Sequence, residues 1–182
     1  MNLFVTILCS IIGIGGLFAI FYIIIFNRIQ VLNIRVNEAE TIIDEELRKK
    51  YDLILQSESI IKKTTKKEIT LFKELKDLKN EDISTFDFER KCSEGFNLVR
   101  QIRSDYENLE KNDEFNNIVN SILDCNEKLE AAKSFYNKYT SKLNEVIKKF
   151  PSNIVALIHK VKVKTYFDGK DMFDEEIEDF KL

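Results

Sequence analysis

The stretch FNNIVNSILDCNEKLEAAKSFYNKYTSKLNEVIKKFP, residues 115–151, decides the fold. Phe115, Ile122, Leu129, Tyr136, Leu143 and Phe150 stand seven apart, and Ile118, Cys125, Ala132, Tyr139 and Val146 sit three after the first five. Every one of these positions is apolar or aromatic. A repeat of this period predicts one long helix whose seam packs on partner helices with left-handed supercoiling. Pro151 has no N–H and disfavours helix in the residue before it, so the helix is expected to stop there. Asn137 and Asn144 lie one position off the seam and are expected to make polar contacts along its flank.

Working outward, the composition supports the same architecture. One proline and five glycines in 182 residues leave little turn chemistry, so a few long helices are expected rather than many strands. The net charge of −3 calls for no nucleic-acid partner. Cys9, Cys92 and Cys125 cannot all pair and show no CxxC spacing, which fits free thiols in a reducing compartment.

Residues 3–26, LFVTILCSIIGIGGLFAIFYIIIF, carry no charge. At ~1.5 Å per residue the run is about 36 Å long as a helix, enough to cross a bilayer core. It lacks the basic start, short apolar core and small-residue cleavage site of a signal peptide. It therefore reads as an uncleaved anchor. Arg28 and Arg35 follow it directly, so the positive-inside rule places the N-terminus outside and the remaining chain in the cytoplasm. Gly15 and Ala19 form a small-xxx-small pair that suits close approach of two anchors, which keeps a homo-oligomer open.

The chain does not break after the anchor. Ile29, Leu32, Val36, Ala39, Ile43, Leu47, Tyr51 and Ile54 recur at steps of three and four, one face of an amphipathic helix expected to run to about residue 61. KKTTKK, residues 62–67, marks a turn, and a short helix carrying Ile69, Phe72, Leu75 and Leu78 follows. NEDIST, residues 80–85, reads as a loop in which Ser84 caps the next helix and Asp87 supplies its acidic first turn. That third helix carries Phe88, Cys92, Gly95, Val99, Ile102, Tyr106 and Leu109 on one side, with Gly95 suited to close approach of a neighbour. Asn112 and Asp113 mark the break before the fourth helix.

The expected fold is thus all-α: an N-terminal transmembrane helix, residues 1–27, then an antiparallel up-and-down four-helix bundle, residues 28–158, and a basic then acidic tail, residues 159–182. If the first helix rises from the membrane, the fourth descends toward it. Its end would bring Lys148, Lys149, Lys160, Lys162 and Lys164 near the leaflet that Arg28 also faces. Lysines there are each worth about 1 kcal/mol on anionic lipid. Membrane lipid is therefore one expected partner, through Arg28, Lys160, Lys162 and Lys164. The tail, with Met172, Phe173, Ile177 and Phe180 among acidic residues, reads as loosely ordered.

No motif for chemistry emerges. His159 is the sole histidine and has no ligating frame. There is no glycine-rich phosphate loop and no nucleophile elbow. Asp44, Glu45 and Glu46 diverge by about 100° each around a helix, which makes them a solvated face rather than an acid–base pair. No enzyme activity, cofactor or metal is expected.

Residues 135–156, FYNKYTSKLNEVIKKFPSNIVA, resemble the C-terminal part of the LemA family of bacterial membrane proteins. That family carries an Arg, then a Tyr-Asn pair, a second Tyr-Asn pair seven later, then Phe-Pro and a polar run ending in Ala. Here Lys133, Tyr136-Asn137, Leu143-Asn144, Phe150-Pro151 and Ala156 stand at that spacing. FNRIQVLNIRVNEAE is similar to the helix start after the family's anchor. LRKKYDLIL is similar to its Arg-x-Asp-Leu-Ile-Pro segment, with Lys50 and Leu55 in place of Arg and Pro. Glu68 fits a His-Glu position, and Glu107 replaces a proline in its Tyr-Pro segment. The resemblance covers about residues 20–160. It implies an anchored helical bundle with no defined enzymatic activity, and it suggests that Asp52 pairs with Lys133 across the bundle. The function expected is binding or scaffolding at the membrane with an unidentified protein partner. A membrane-anchored cell-division or cytoskeletal adaptor, and a regulatory subunit of a membrane protease or envelope-stress system, are the alternatives.

Overall fold

The computed structural model describes residues 3–66, 69–78 and 83–167. Among the described residues there are six helices and no strand: α1 (Leu3–Thr65), α2 (Thr70–Asp77), α3 (Thr85–Asp105), α4 (Glu107–Glu110), α5 (Asp113–Lys148) and α6 (Ser152–Ile158). The acidic tail, residues 168–182, Lys67 and Glu68, Lys79, and residues 80–82 of the NEDIST loop lie outside the described residues.

The 63 residues of α1 join the apolar run to the amphipathic stripe without a break, because no Gly or Pro interrupts residues 17–65. The apolar run is exposed on every side as far as Ile24. From Ile25 onward the helix buries one face, through Ile29, Val36, Ala39, Ile43, Leu47, Tyr51 and Ile54. Lys66, at φ 56°, donates its N–H to the Lys62 carbonyl at 3.0 Å and closes the helix in the left-handed manner common at C-termini. The turn expected at 62–67 therefore falls at its end.

Two compact units divide the described chain, with α1 and α5 contributing to both. The first contains residues 3–38 and 136–166, the second residues 39–135 with Phe167. The expected partition at residues 27 and 158 separates anchor, helices and tail by composition, whereas compactness cuts across α1 and α5.

In the second unit, α2 buries Phe72 and Leu75, and α3 buries Cys92, Phe96, Val99 and Ile102. Ser84 caps α3 as expected: its Oγ accepts the Asp87 N–H at 3.1 Å and donates to the Asp87 carboxylate at 2.7 Å. Gly95 sits where α3 meets its neighbours. A Cβ there would lie 2.8 Å from Leu75 Cδ1 and 3.4 Å from Ile54 Cγ2, so only glycine allows this approach without a shift. The third helix is interrupted where none was expected. Tyr106 is extended at φ −128° and ψ 102°, and α4 follows with Glu107 at its start. Asn112 Oδ1 accepts the Phe115 N–H at 2.8 Å and caps α5.

The heptad seam of α5 is buried at nine of its eleven positions. Tyr139 is half-buried. Phe150 is the correction: it is 79% exposed, because α5 ends at Lys148 and the seam has no helix left to carry it. Toward its end α5 also buries Thr140, Asn144 and Ile147, a face that follows the 3.6-residue helical period rather than a strict heptad. Asn144 thus belongs to the buried face and not to the flank. The Phe150–Pro151 peptide bond is cis, and Pro151 occupies the position before α6.

Candidate functional site

Three arrangements gather the polar and motif residues. The first lies in the second unit and is centred on Lys50. This residue is 1% exposed, among the largest fully buried side chains of the protein. Its ammonium donates to Ser93 Oγ at 2.8 Å, and Ser93 donates in turn to Glu89 Oε1 at 2.9 Å. The Glu89 carboxylate lies 3.6 Å from Lys50 Nζ and 3.9 Å from Lys133 Nζ. Lys133 also pairs with Glu130 at 2.5 Å and holds its cation 5.3 Å from the centre of the Phe167 ring. One carboxylate therefore serves two cations and a hydroxyl.

Burial lowers the Lys50 pKa below its ordinary value, against the raising effect of Glu89. Burial also pushes the neighbouring Cys92 thiol up to about 12, so it remains protonated and inert. A lysine beside a serine is the layout of a Ser–Lys nucleophile pair. Two features speak against that use. The Ser93 proton is committed to Glu89, and Ser93 sits inside α3, where backbone N–H groups are taken by the helix and cannot hold an oxyanion. The cluster holds charge in place.

The pairing suggested between Asp52 and Lys133 is replaced. Among the described residues no ion pair joins them, and Glu89 of α3 takes the place assigned to Asp52. The reason is helical phase. Lys50 lies three residues after Leu47 and points inward with the stripe, while Asp52 is turned about 200° further round and is exposed. Asp52 instead joins Asp44 and Arg48, four residues apart along α1, on the rim of an open cleft of about 500 Å³. Tyr51 and Phe88 form part of its wall, ring centres 5.4 Å apart.

The second arrangement lies in the first unit and explains the motif residues. After α6 the chain continues without regular secondary structure over residues 161–166. Asn144 grips it with both ends of its amide: Nδ2 donates to the Lys164 carbonyl at 2.7 Å, and Oδ1 accepts the Lys164 N–H at 3.0 Å. Tyr136 donates its hydroxyl to the Thr165 carbonyl at 2.9 Å. Lys164 Nζ donates to Asn37 Oδ1 at 2.9 Å. Lys164 is thus engaged by backbone and side chain, while Arg28, Lys160 and Lys162 are exposed. Asn137 is partly buried on α5, beside the clamp residue Tyr136.

The third arrangement is the corner at Phe150, Pro151 and α6. His159, at its end, lies with Nε2 2.7 Å from the Tyr22 hydroxyl and its ring centre 4.4 Å from that of Phe26. Lys50, Ser93 and Glu89 were not singled out from the sequence. Only the stripe phase of Lys50 signals its inward direction.

Among the described residues one helix is long and apolar enough to cross a membrane by length and composition, and it continues into an all-helical body, which is consistent with a membrane-anchored helical protein. The family model described as LemA family matches residues 39–178, most of the chain, and the protein belongs to that family. No curated protein matches the chain.

Proposed function

We propose that the protein is a single-pass component of a bacterial cytoplasmic membrane, N-terminus outside, whose cytoplasmic helices form an antiparallel four-helix bundle that binds or scaffolds a protein partner without catalysing a reaction. The observation that carries this reading is the change in α1 at Ile25, where a helix apolar and exposed all round becomes one with a single buried face. A helix apolar on every side matches lipid, and one with a stripe matches helical neighbours. Arg28 and Arg35, just after the apolar run, favour the cytoplasmic side for the body. The cleft beside Asp44, Arg48 and Asp52 offers a partner both charge and an aromatic wall. Arg28, Lys160 and Lys162 supply cations for anionic lipid.

Single-cysteine labelling with a membrane-impermeant maleimide tests the topology in a background lacking Cys9, Cys92 and Cys125. Asn2→Cys is expected to label from outside, and Lys111→Cys only after permeabilisation. The reverse pattern would refute the orientation. A photo-crosslinker at position 52 is expected to trap a discrete partner that is lost on Arg48→Glu. A fluorescent fusion confined to division sites, rather than uniform over the membrane, would replace this reading with that of a cytoskeletal adaptor.

A further inference from the structure

The sequence SNIVALI of α6 carries no charge, yet only Val155 and Ala156 are buried. Ile154, Leu157 and Ile158 are 50%, 79% and 60% exposed, and Phe150, four residues before Ile154, is 79% exposed. Positions i, i+3 and i+4 of a helix share a face, so Ile154, Leu157 and Ile158 form one apolar patch, and Phe150 extends the exposed apolar surface at this corner. Full burial of such side chains is worth about 1.5–3 kcal/mol each. In water the patch has no compensation.

Its position supplies an occupant. His159, the residue after α6, touches Tyr22 and Phe26 of the apolar run. From Leu3 to Tyr22 the helix rises about 29 Å, close to the ~30 Å of a hydrocarbon core. Tyr22 and Phe26 then lie at the level of the lipid headgroups, where aromatic side chains gather. The end of α6 is held at that level by contacts within one compact unit. Exposed Lys160 and Lys162 follow it in the sequence, and exposed Arg28 stands two residues after Phe26 on α1, the pairing of apolar face and basic flank found in helices that lie in a membrane interface.

We propose that Phe150 and α6 form a second membrane-contacting surface, with Phe150, Ile154, Leu157 and Ile158 immersed in the interfacial layer of the leaflet from which α1 emerges. The proposal rests on α1 being a membrane span. It adds a shallow wedge to that span. The apolar corner continues the apolar surface of the run, and the basic residues match anionic headgroups.

The sequence contains no tryptophan, so a single introduced one reports its own surroundings. The full chain carrying Phe18→Trp, Leu157→Trp or Leu123→Trp is reconstituted in vesicles of phosphatidylethanolamine and phosphatidylglycerol. Lipids brominated near the carboxyl end or deep in the acyl chain serve as quenchers. Leu157→Trp is expected to shift to the blue and to lose more emission to the shallow bromines. Phe18→Trp, about 6 Å further into the core than Tyr22, is expected to be quenched by both sets, and Leu123→Trp, on an exposed position of α5, by neither. Quenching of Phe18→Trp with Leu157→Trp behaving like Leu123→Trp overturns the wedge and leaves the span intact. Absence of quenching at position 18 overturns both. A blue-shifted but unquenched Leu157→Trp overturns the lipid in favour of a second copy of the chain covering the corner. Circular dichroism of each variant confirms that its helices are retained, since the substituted side chains are exposed.

Discussion

Glu89→Gln is expected to be among the most damaging single-atom changes in this protein, and Lys50→Met among the least damaging removals of a charge. Lys50 is 1% exposed, and among the described residues its ammonium has one carboxylate within reach, 3.6 Å away. Neutralising Glu89 leaves that cation buried with only the Ser93 hydroxyl beside it, a loss of about 3–5 kcal/mol for a broken buried pair. For a chain of this size each kcal/mol moves Tm by about 2–4 °C, so a fall of about 6–20 °C is expected. Lys50→Met removes the buried cation and fills similar space, while Glu89 keeps Lys133 and Ser93. Its effect should lie between neutral and a gain of about 1–4 kcal/mol. In the Lys50→Met background Glu89→Gln should cost about 1 kcal/mol or less, because the remaining cation is less deeply buried. The coupling between the two sites is then on the order of 2–4 kcal/mol. Thermal melts of the full chain in micelles, followed at 222 nm, measure all four proteins. Equal losses from Glu89→Gln in the two backgrounds would refute the reasoning. The pH dependence has a definite sign. Below its lowered folded pKa, Lys50 is charged in both states and its burial cost is present in full. As pH rises from there toward 10.5 the folded state sheds the proton first, so this residue's contribution to stability increases, and Lys50→Met should lack that increase.

Asn144→Ala removes two hydrogen bonds from a buried position and should loosen the segment 161–166 by about 1–3 kcal/mol. Since ~1.4 kcal/mol is tenfold in an equilibrium, trypsin should cut at Lys160, Lys162 and Lys164 roughly 5- to 150-fold faster, with helix content kept; an unchanged rate would show that the clamp is not what holds the segment. Cys92 and Cys125, both buried and with raised pKa values, should resist iodoacetamide at pH 8 and react once urea unfolds the chain. The Cys92 shift has the opposite sign to that of Lys50: its stabilising contribution is complete below 9.0 and is lost as pH rises toward about 12. Ser84→Ala should cost about 1 kcal/mol through loss of the α3 cap, a fall in Tm of about 2–4 °C, whereas Ser84→Asp should retain most of the wild-type Tm.

The long helices were legible because burial imposes its period on them. The stripe from Ile29 to Ile54 and the seam from Phe115 to Val146 are periodic over many turns, and a single exception does not obscure either. The Ser84 cap was legible for a related reason, since cap and acidic first turn are local chemistry. The break at Tyr106 was not. No Gly or Pro marks it, and Glu107 is a good helix former. The fully buried Leu109 in the short helix beyond points to tertiary packing as the cause. Lys50 was missed because a lysine on an apolar stripe becomes tolerable only with Glu89 and Ser93, some forty residues away on another helix. Phe150 was misplaced because the heptad count continues past the last helical residue.

The Asn144 clamp touches Lys164 through main-chain atoms alone, so it is indifferent to which side chain follows. The two halves of this contact therefore differ in how freely they can vary. As far as the clamp is concerned, residue 164 can be exchanged for almost anything except proline, whose missing N–H would empty one side of the amide; the bond from Lys164 Nζ to Asn37 is a separate contact. Position 144 demands one donor and one acceptor at fixed separation, which only an amide side chain of that length provides. The strap can drift in sequence without losing its seat, and the seat cannot.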